Sequence, residues 1–125
     1  MVHLSQLILG ETGCVSYIVF CKKCKEAAII DPFQGFEDLV EKELDDLGSP
    51  HVKYVVDTHT HADRRSSSPF FADKYETEGI VKSEKSKYKG KKRETKDEDT
   101  LEVGDAKIKV LFTPGHTYDH NCYLI

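Results

Sequence analysis

Along the chain, apolar and polar positions alternate in blocks short enough to be strands, with one longer stretch of helical period. Val15–Phe20 is apolar and rich in β-branched residues, and Glu26–Ile30 resumes the same character after the polar break Cys21-Lys22-Lys23-Cys24. The pattern predicts two strands joined as a hairpin. Asp31-Pro32 ends the second strand and Gly35 opens the approach to a helix. Phe36, Leu39, Val40, Leu44 and Leu47 then recur at a helical interval on one face, and Gly48-Ser49-Pro50 stops the run. Val52–Val56 is a short buried strand, so the order strand–helix–strand predicts a parallel pair with a right-handed crossover. Ser66-Ser67-Ser68-Pro69 supplies a capping residue and an early proline for a second helix through about Tyr75.

The window Lys82–Asp99 breaks the pattern, with eight Lys/Arg and five Asp/Glu and almost no apolar period. A solvated loop or edge strand is expected there in preference to a basic docking patch. Thr100–Val103, the turn at Gly104-Asp105 and Ala106–Phe112 form a second hairpin, in which Ile108 and Val110 alternate with Lys107 and Lys109. Thr113-Pro114-Gly115-His116-Thr117 leaves that strand in a tight turn, and Asn121–Ile125 begins another apolar strand. No internal repeat interrupts the series. The fold class expected is α/β, a mixed sheet with helices on one face, in a single domain over residues 1–125.

Composition narrows the partners. A formal net charge of −4 with 32% charged residues predicts solubility and gives no electrostatic footprint for nucleic acid. Residues Met1 to Gly10 lack the basic head, apolar run and small-residue cleavage site of a secretory signal, and no 18-residue apolar stretch is present for a membrane span. Four cysteines do not make a disulfide scaffold in a chain of this length, so a cytoplasmic, reducing setting is expected. Cys21-x-x-Cys24 is half of a zinc motif without its partner pair. It reads as an incidental turn pair, with metal or disulfide use as the alternative.

The chemistry concentrates in Asp57-Thr58-His59-Thr60-His61-Ala62-Asp63-Arg64, directly after the apolar run that ends at Val56. Neutral imidazole is a common ligand for zinc and iron at physiological pH, and two imidazoles two residues apart at a strand end can face one ion. Asp63 adds an oxygen ligand or an acceptor behind an imidazole, and is the candidate catalytic carboxylate. His116, leaving its own strand through a proline–glycine turn, is the natural third imidazole. The metal set expected is therefore His59, His61, His116 and Asp63, holding one divalent ion. His3, His51 and His120 are expected to be structural, with His120 close enough to His116 to orient it.

In these two motifs the chain resembles the metallo-β-lactamase fold superfamily. Thr58-His59-Thr60-His61-Ala62-Asp63 matches its H-x-H-x-D-H pattern, and Thr113-Pro114-Gly115-His116-Thr117 its P-G-H-T turn. Asp31-Pro32 and Gly104-Asp105 also fall where that fold would put them. The wording of both motifs is most similar to the branch of persulfide dioxygenases and glyoxalase II enzymes. The resemblance implies the N-terminal half of an αβ/βα sandwich, iron(II) or zinc as cofactor, and a glutathione conjugate or persulfide as substrate. It implies persulfide dioxygenation first and zinc-dependent thioester hydrolysis as the alternative.

Two departures shape the expectation. Arg64 stands where the family has a histidine for a second metal, and a guanidinium has no lone pair to offer and stays charged, so a single metal is expected. The family's later metal-binding aspartate and histidine do not follow His116 within the 125 residues. The remaining alternative is thus a catalytically silent domain that acts through self-association, as a homodimer or higher oligomer.

Overall fold

A computed structural model of the chain describes residues 2–8, 15–58, 66–77, 79–83, 92–112 and 121–124. Among the described residues, nine strands and two helices run in the order β1 (Val2–Ile8), β2 (Val15–Cys21), β3 (Glu26–Ile30), α1 (Glu37–Asp46), β4 (His51–Val56), α2 (Ser68–Lys74), β5 (Ile80–Ser83), β6 (Lys92–Thr95), β7 (Thr100–Val103), β8 (Ala106–Phe112) and β9 (Asn121–Leu124). Strands β1 to β6 form one mixed sheet in sequence order, and β7-β8-β9 a second, antiparallel one.

Residues of period two explain the layers. In β2, Ile18 and Phe20 point to one face and Val19 to the other; in β3, Ala27 and Ile29 oppose Ala28 and Ile30. One face meets Val40 and Leu44 of α1 and Phe71 of α2, and the other meets Leu101, Val103, Ala106, Ile108 and Val110 of the second sheet. The result is three layers, helices over sheet over sheet, with an apolar core in each gap. In β4 the alternation slips, because Ala27 pairs with Val52 and Ala28 with Tyr54, leaving Lys53 as an extra residue. That bulge is why Val52 and Val55, three apart, both face the helices while Tyr54 and Val56 face the second sheet.

The parallel pair β3–β4 requires a crossover, which α1 supplies; β4 and β5 are parallel as well, with α2 between them. Both helices lie on the same face, as crossovers of one hand would place them. Helix α1 closes through Ser49 N–H to Leu44 O at 2.9 Å, with Gly48 at φ +87° and Ser49 at φ +53° reversing the chain. Leu39, placed on the buried face by its spacing, is 39% exposed, since the sheet reaches only the stripe of Val40 and Leu44.

Strands β1 and β5 depart from the sequence reading, which assigned neither. Strand β1 has no counterpart in it: Ser5 and Leu7 are the buried positions, whereas Leu4 and Ile8 are exposed. Ser5 is accommodated because its hydroxyl donates to Glu43 Oε2 of α1 at 2.9 Å. In the charged window, β6 is an edge strand as expected, but Lys82 is not solvated. It lies on β5 with its side chain 6% exposed. Among the described residues no helix is long and apolar enough to cross a membrane.

Candidate functional site

His59, His61, Asp63 and Arg64, with His116 and His120, lie outside the described residues. The structure does describe the strands from which both motifs spring, and the side chains that fix the points of departure.

Strand β4 runs into Asp57, which is 2% exposed. One carboxylate oxygen accepts from Ser68 Oγ at 2.5 Å and from Ser66 Oγ at 3.4 Å, and the other meets Lys82 Nζ at 3.1 Å. Its backbone is held equally firmly. Asp57 N–H donates to Val81 O at 3.0 Å, and Asp57 O accepts from Tyr123 Oη at 2.9 Å. Burial pushes the Asp57 carboxyl above the usual carboxylate range, while the Lys82 ammonium and the Ser68 hydroxyl oppose that shift. The group is a buried structural anchor tying β4, β5, α2 and β9 together.

Thr58, the last described residue before His59, is clamped by Asp31. Asp31 Oδ1 accepts from Thr58 N–H at 2.8 Å and Oδ2 from Thr58 Oγ1 at 2.9 Å. Asp31 itself sits at φ +54°, a left-handed conformation that Asp tolerates better than most residues. Ser16 Oγ donates to its carbonyl at 2.6 Å, and Asp31 N–H donates to Val56 O at 2.8 Å. The ends of β2, β3 and β4 are thereby locked around the start of the histidine segment. On the far side of that segment, Ser67 N–H donates to Pro32 O at 2.9 Å, returning the chain to α2.

The second motif leaves from β8. That strand begins at Ala106, beside the Gly104-Asp105 turn, where Gly104 N–H donates to Glu26 Oε1 at the start of β3. It therefore runs in the same sense as β3 and β4, and Phe112 ends at the Asp57 end of the sandwich. Strand β9 returns antiparallel, Phe112 opposite Asn121, and brings Tyr123 to Asp57. Thr58 and Phe112, the last described residues before the two motifs, thus lie at one common end, at the carboxyl ends of β4 and β8. Open α/β sheets hold their ligands outside such ends.

Comparison with known proteins follows this geometry. No family model matches the chain. ETHE1 from Myxococcus xanthus superposes with a TM-score of 0.82 at 27% identity, covering 98% of this chain and 53% of that one. A metallo-β-lactamase from Staphylococcus aureus superposes with a TM-score of 0.85 at 28% identity, covering 98% and 38%. The chain has the metallo-β-lactamase fold. In sequence it is similar to a probable hydroxyacylglutathione hydrolase of Schizosaccharomyces pombe, 28% identical over 122 residues, which make up 92% of this chain and 44% of that protein. The chain spans about half the length of the curated relatives it matches.

The metallo-β-lactamase resemblance drawn from Thr58–Asp63 and Thr113–Thr117 is thus supported across nearly the whole chain. Sequence reasoning did not assign the supporting frame: Asp31, Ser68, Lys82 and Tyr123. Two signals were available for it. Asp31 and Asp57 each follow an apolar strand immediately, and Lys82 directly follows the apolar pair Ile80-Val81.

Proposed function

We propose that this chain carries the metal centre of a metallo-β-lactamase-fold enzyme acting on a glutathione-derived sulfur substrate, most like a persulfide dioxygenase. In this reading His59, His61 and His116 are metal ligands, and Asp63 is both an oxygen ligand and the catalytic carboxylate. The observation that carries it is the common end at which β4 and β8 stop, each continuing directly into one of the two motifs. The donor set suits the group: three neutral imidazoles and a carboxylate accept either iron(II) or zinc. Such a metal would supply Lewis-acid or redox chemistry to the substrate.

The chain's own residues prepare the site. Asp31 fixes the amide and hydroxyl of Thr58, so the backbone enters His59 in one direction. Asp57 and Lys82 neutralise each other beneath it and keep the strand ends together in a water-poor layer. In the hydrolytic reading Asp63 would take the proton of the attacking water, and in either reading Arg64 would supply a fixed positive charge in place of the family's histidine for a second metal. That favours a mononuclear centre. Thioester hydrolysis is the second reading, favoured by the name hydroxyacylglutathione hydrolase borne by the fission-yeast relative.

Elemental analysis of the purified protein, with two activity assays, tests the proposal. Iron with oxygen uptake on glutathione persulfide supports the dioxygenase, and zinc with release of glutathione from a hydroxyacyl thioester supports the hydrolase. His61→Ala and His116→Ala should each remove one equivalent of metal; unchanged metal content in both would refute the assignment. A folded chain that turns over neither substrate would be the silent domain. We also propose self-association, because edge strand β1 exposes Leu4 and Ile8 at 48% and 66%. A mass equal to one chain, constant with concentration in sedimentation, would remove it.

A further inference from the structure

Cys21 closes β2 and is fully buried, whereas Cys24 is exposed on the turn into β3. The turn is tightly wound: Lys25 sits at φ +55° and donates its N–H to Cys21 O at 2.8 Å. A third chemically active group arrives from the other sheet. Asp105, in the β7–β8 turn, donates its N–H to Cys21 Sγ at 3.4 Å across 84 residues of sequence. One ligand atom each from Cys21, Cys24 and Asp105 lie within 4.8 Å of one another.

The hairpin tip is seated directly on the two cysteines. Gly104 has φ +58°, and a Cβ there would fall 2.6 Å from Cys21 Sγ and 2.7 Å from the Cβ of either cysteine. Gly104 N–H is held by Glu26 Oε1 at 2.7 Å. Two sulfurs and a carboxylate therefore converge because a glycine turn lets two sheets meet, not because three residues share a flexible loop.

We propose that Cys21, Cys24 and Asp105 form a structural binding site for a thiophilic divalent cation of the zinc type, stapling the two sheets together. Two thiolates at about 2.3 Å from a tetrahedral zinc lie about 3.7 Å apart, a spacing compatible with ligand atoms that all fall within 4.8 Å of one another. Thiolates select a soft ion over magnesium or calcium, and the exposed side of Cys24 leaves room for water as a fourth ligand. The Asp105 amide holds the Cys21 thiol below its usual range, while hydrogen bonding to Cys21 pushes Cys24 up. Binding releases thiol protons and therefore strengthens with pH.

This site is distinct from the histidine centre. It lies at the start of β3, whereas the histidine segments leave from the carboxyl ends of β4 and β8, a strand length of roughly 16–20 Å away. Its effect is to fix β7–β9, the sheet that bears the second histidine motif.

The test uses the full chain, reduced, stripped with chelator and titrated with cobalt(II), then zinc(II). The expected result is a thiolate-to-cobalt charge-transfer absorption in the near ultraviolet. It should persist in His61→Ala, vanish in Cys24→Ser and be displaced by zinc. Asp105→Asn should weaken zinc displacement of the cobalt band tenfold or more, and zinc should raise the melting temperature of wild type by more than that of Cys24→Ser. Because Cys24 is exposed, its replacement leaves the core intact. No charge-transfer band in the reduced wild type, a band unaltered in Cys24→Ser, or a band lost only with His61→Ala would each overturn the site. The persistence in His61→Ala separates its failure from failure of the histidine centre.

Discussion

Replacing Lys82 by Met isolates the electrostatics on which the histidine end rests. The Lys82 and Asp57 side chains are 6% and 2% exposed and meet at 3.1 Å. Removing one member of a buried ion pair strands the other, at a cost of about 3–5 kcal/mol. Ser68 Oγ, at 2.5 Å, continues to donate to Asp57 and offsets part of that loss, which puts Lys82→Met near the lower end, about 3 kcal/mol. Combining it with Asp57→Asn removes both charges and keeps an acceptor for Ser68. The double variant should therefore cost less than about 1.5 kcal/mol, an interaction energy of opposite sign to simple addition.

Urea denaturation across pH is the assay, and the sign is fixed. Burial already raises the Asp57 carboxyl despite the opposing Lys82 ammonium, so losing that ammonium raises it further. A carboxyl whose folded value exceeds its unfolded value, about 3.9, loses stability as pH rises through the folded value. The deficit of Lys82→Met should accordingly be small near pH 4 and grow toward neutrality, by at most about 1.4 kcal/mol per pH unit. A deficit below about 1 kcal/mol at pH 7, or one independent of pH, would refute the reasoning.

Other substitutions probe single contacts. Gly104→Ala should destabilise by about 1–3 kcal/mol in urea denaturation, since its Cβ would strike both cysteines and the residue would keep a left-handed backbone. Ser67→Ala should be neutral or stabilising by up to about 1 kcal/mol, because among the described residues its buried hydroxyl has no hydrogen-bond partner. Asp31→Ala should cost about 2–3 kcal/mol and lower metal retention at the histidine centre, because both bonds to Thr58 disappear; metal analysis beside thermal denaturation checks both parts.

Much of this fold was legible because apolar period and turn chemistry agree locally. The β2–β3 and β7–β8 hairpins, α1 and β4 follow from such agreement at Val15–Ile30, Phe36–Leu47, Val52–Val56 and Thr100–Phe112. Strand β1 was not legible, because its buried positions are Ser5 and Leu7 while Leu4 and Ile8 face outward, the reverse of what alternation teaches. The role of Lys82 was hidden for a related reason. A lysine at the head of a charged window looks solvated until a partner from another strand is known, and Asp57 is 25 residues earlier. The imidazole sets are candidates from chemistry and spacing, and they lie outside the described residues. The cysteine cluster was not legible, because its third member arrives across 84 residues.

The two ends of the sandwich divide the work between them. At one end, Asp31 and Asp57 turn their carboxylates inward, to Thr58, Ser68 and Lys82. At the other, Glu26 and Asp105 use one carboxylate and one amide to seat the Gly104 turn on Cys21 and Cys24. Strand β8 spans both ends, from beside Asp105 to Phe112. Loosening the cysteine end would therefore tilt the strand that feeds His116. On this argument, Gly104→Ala should reduce metal retention at the proposed histidine centre although Gly104 sits at the opposite end of β8 from Phe112. If the variant loses stability but holds that metal with unaltered affinity, the two ends are mechanically independent.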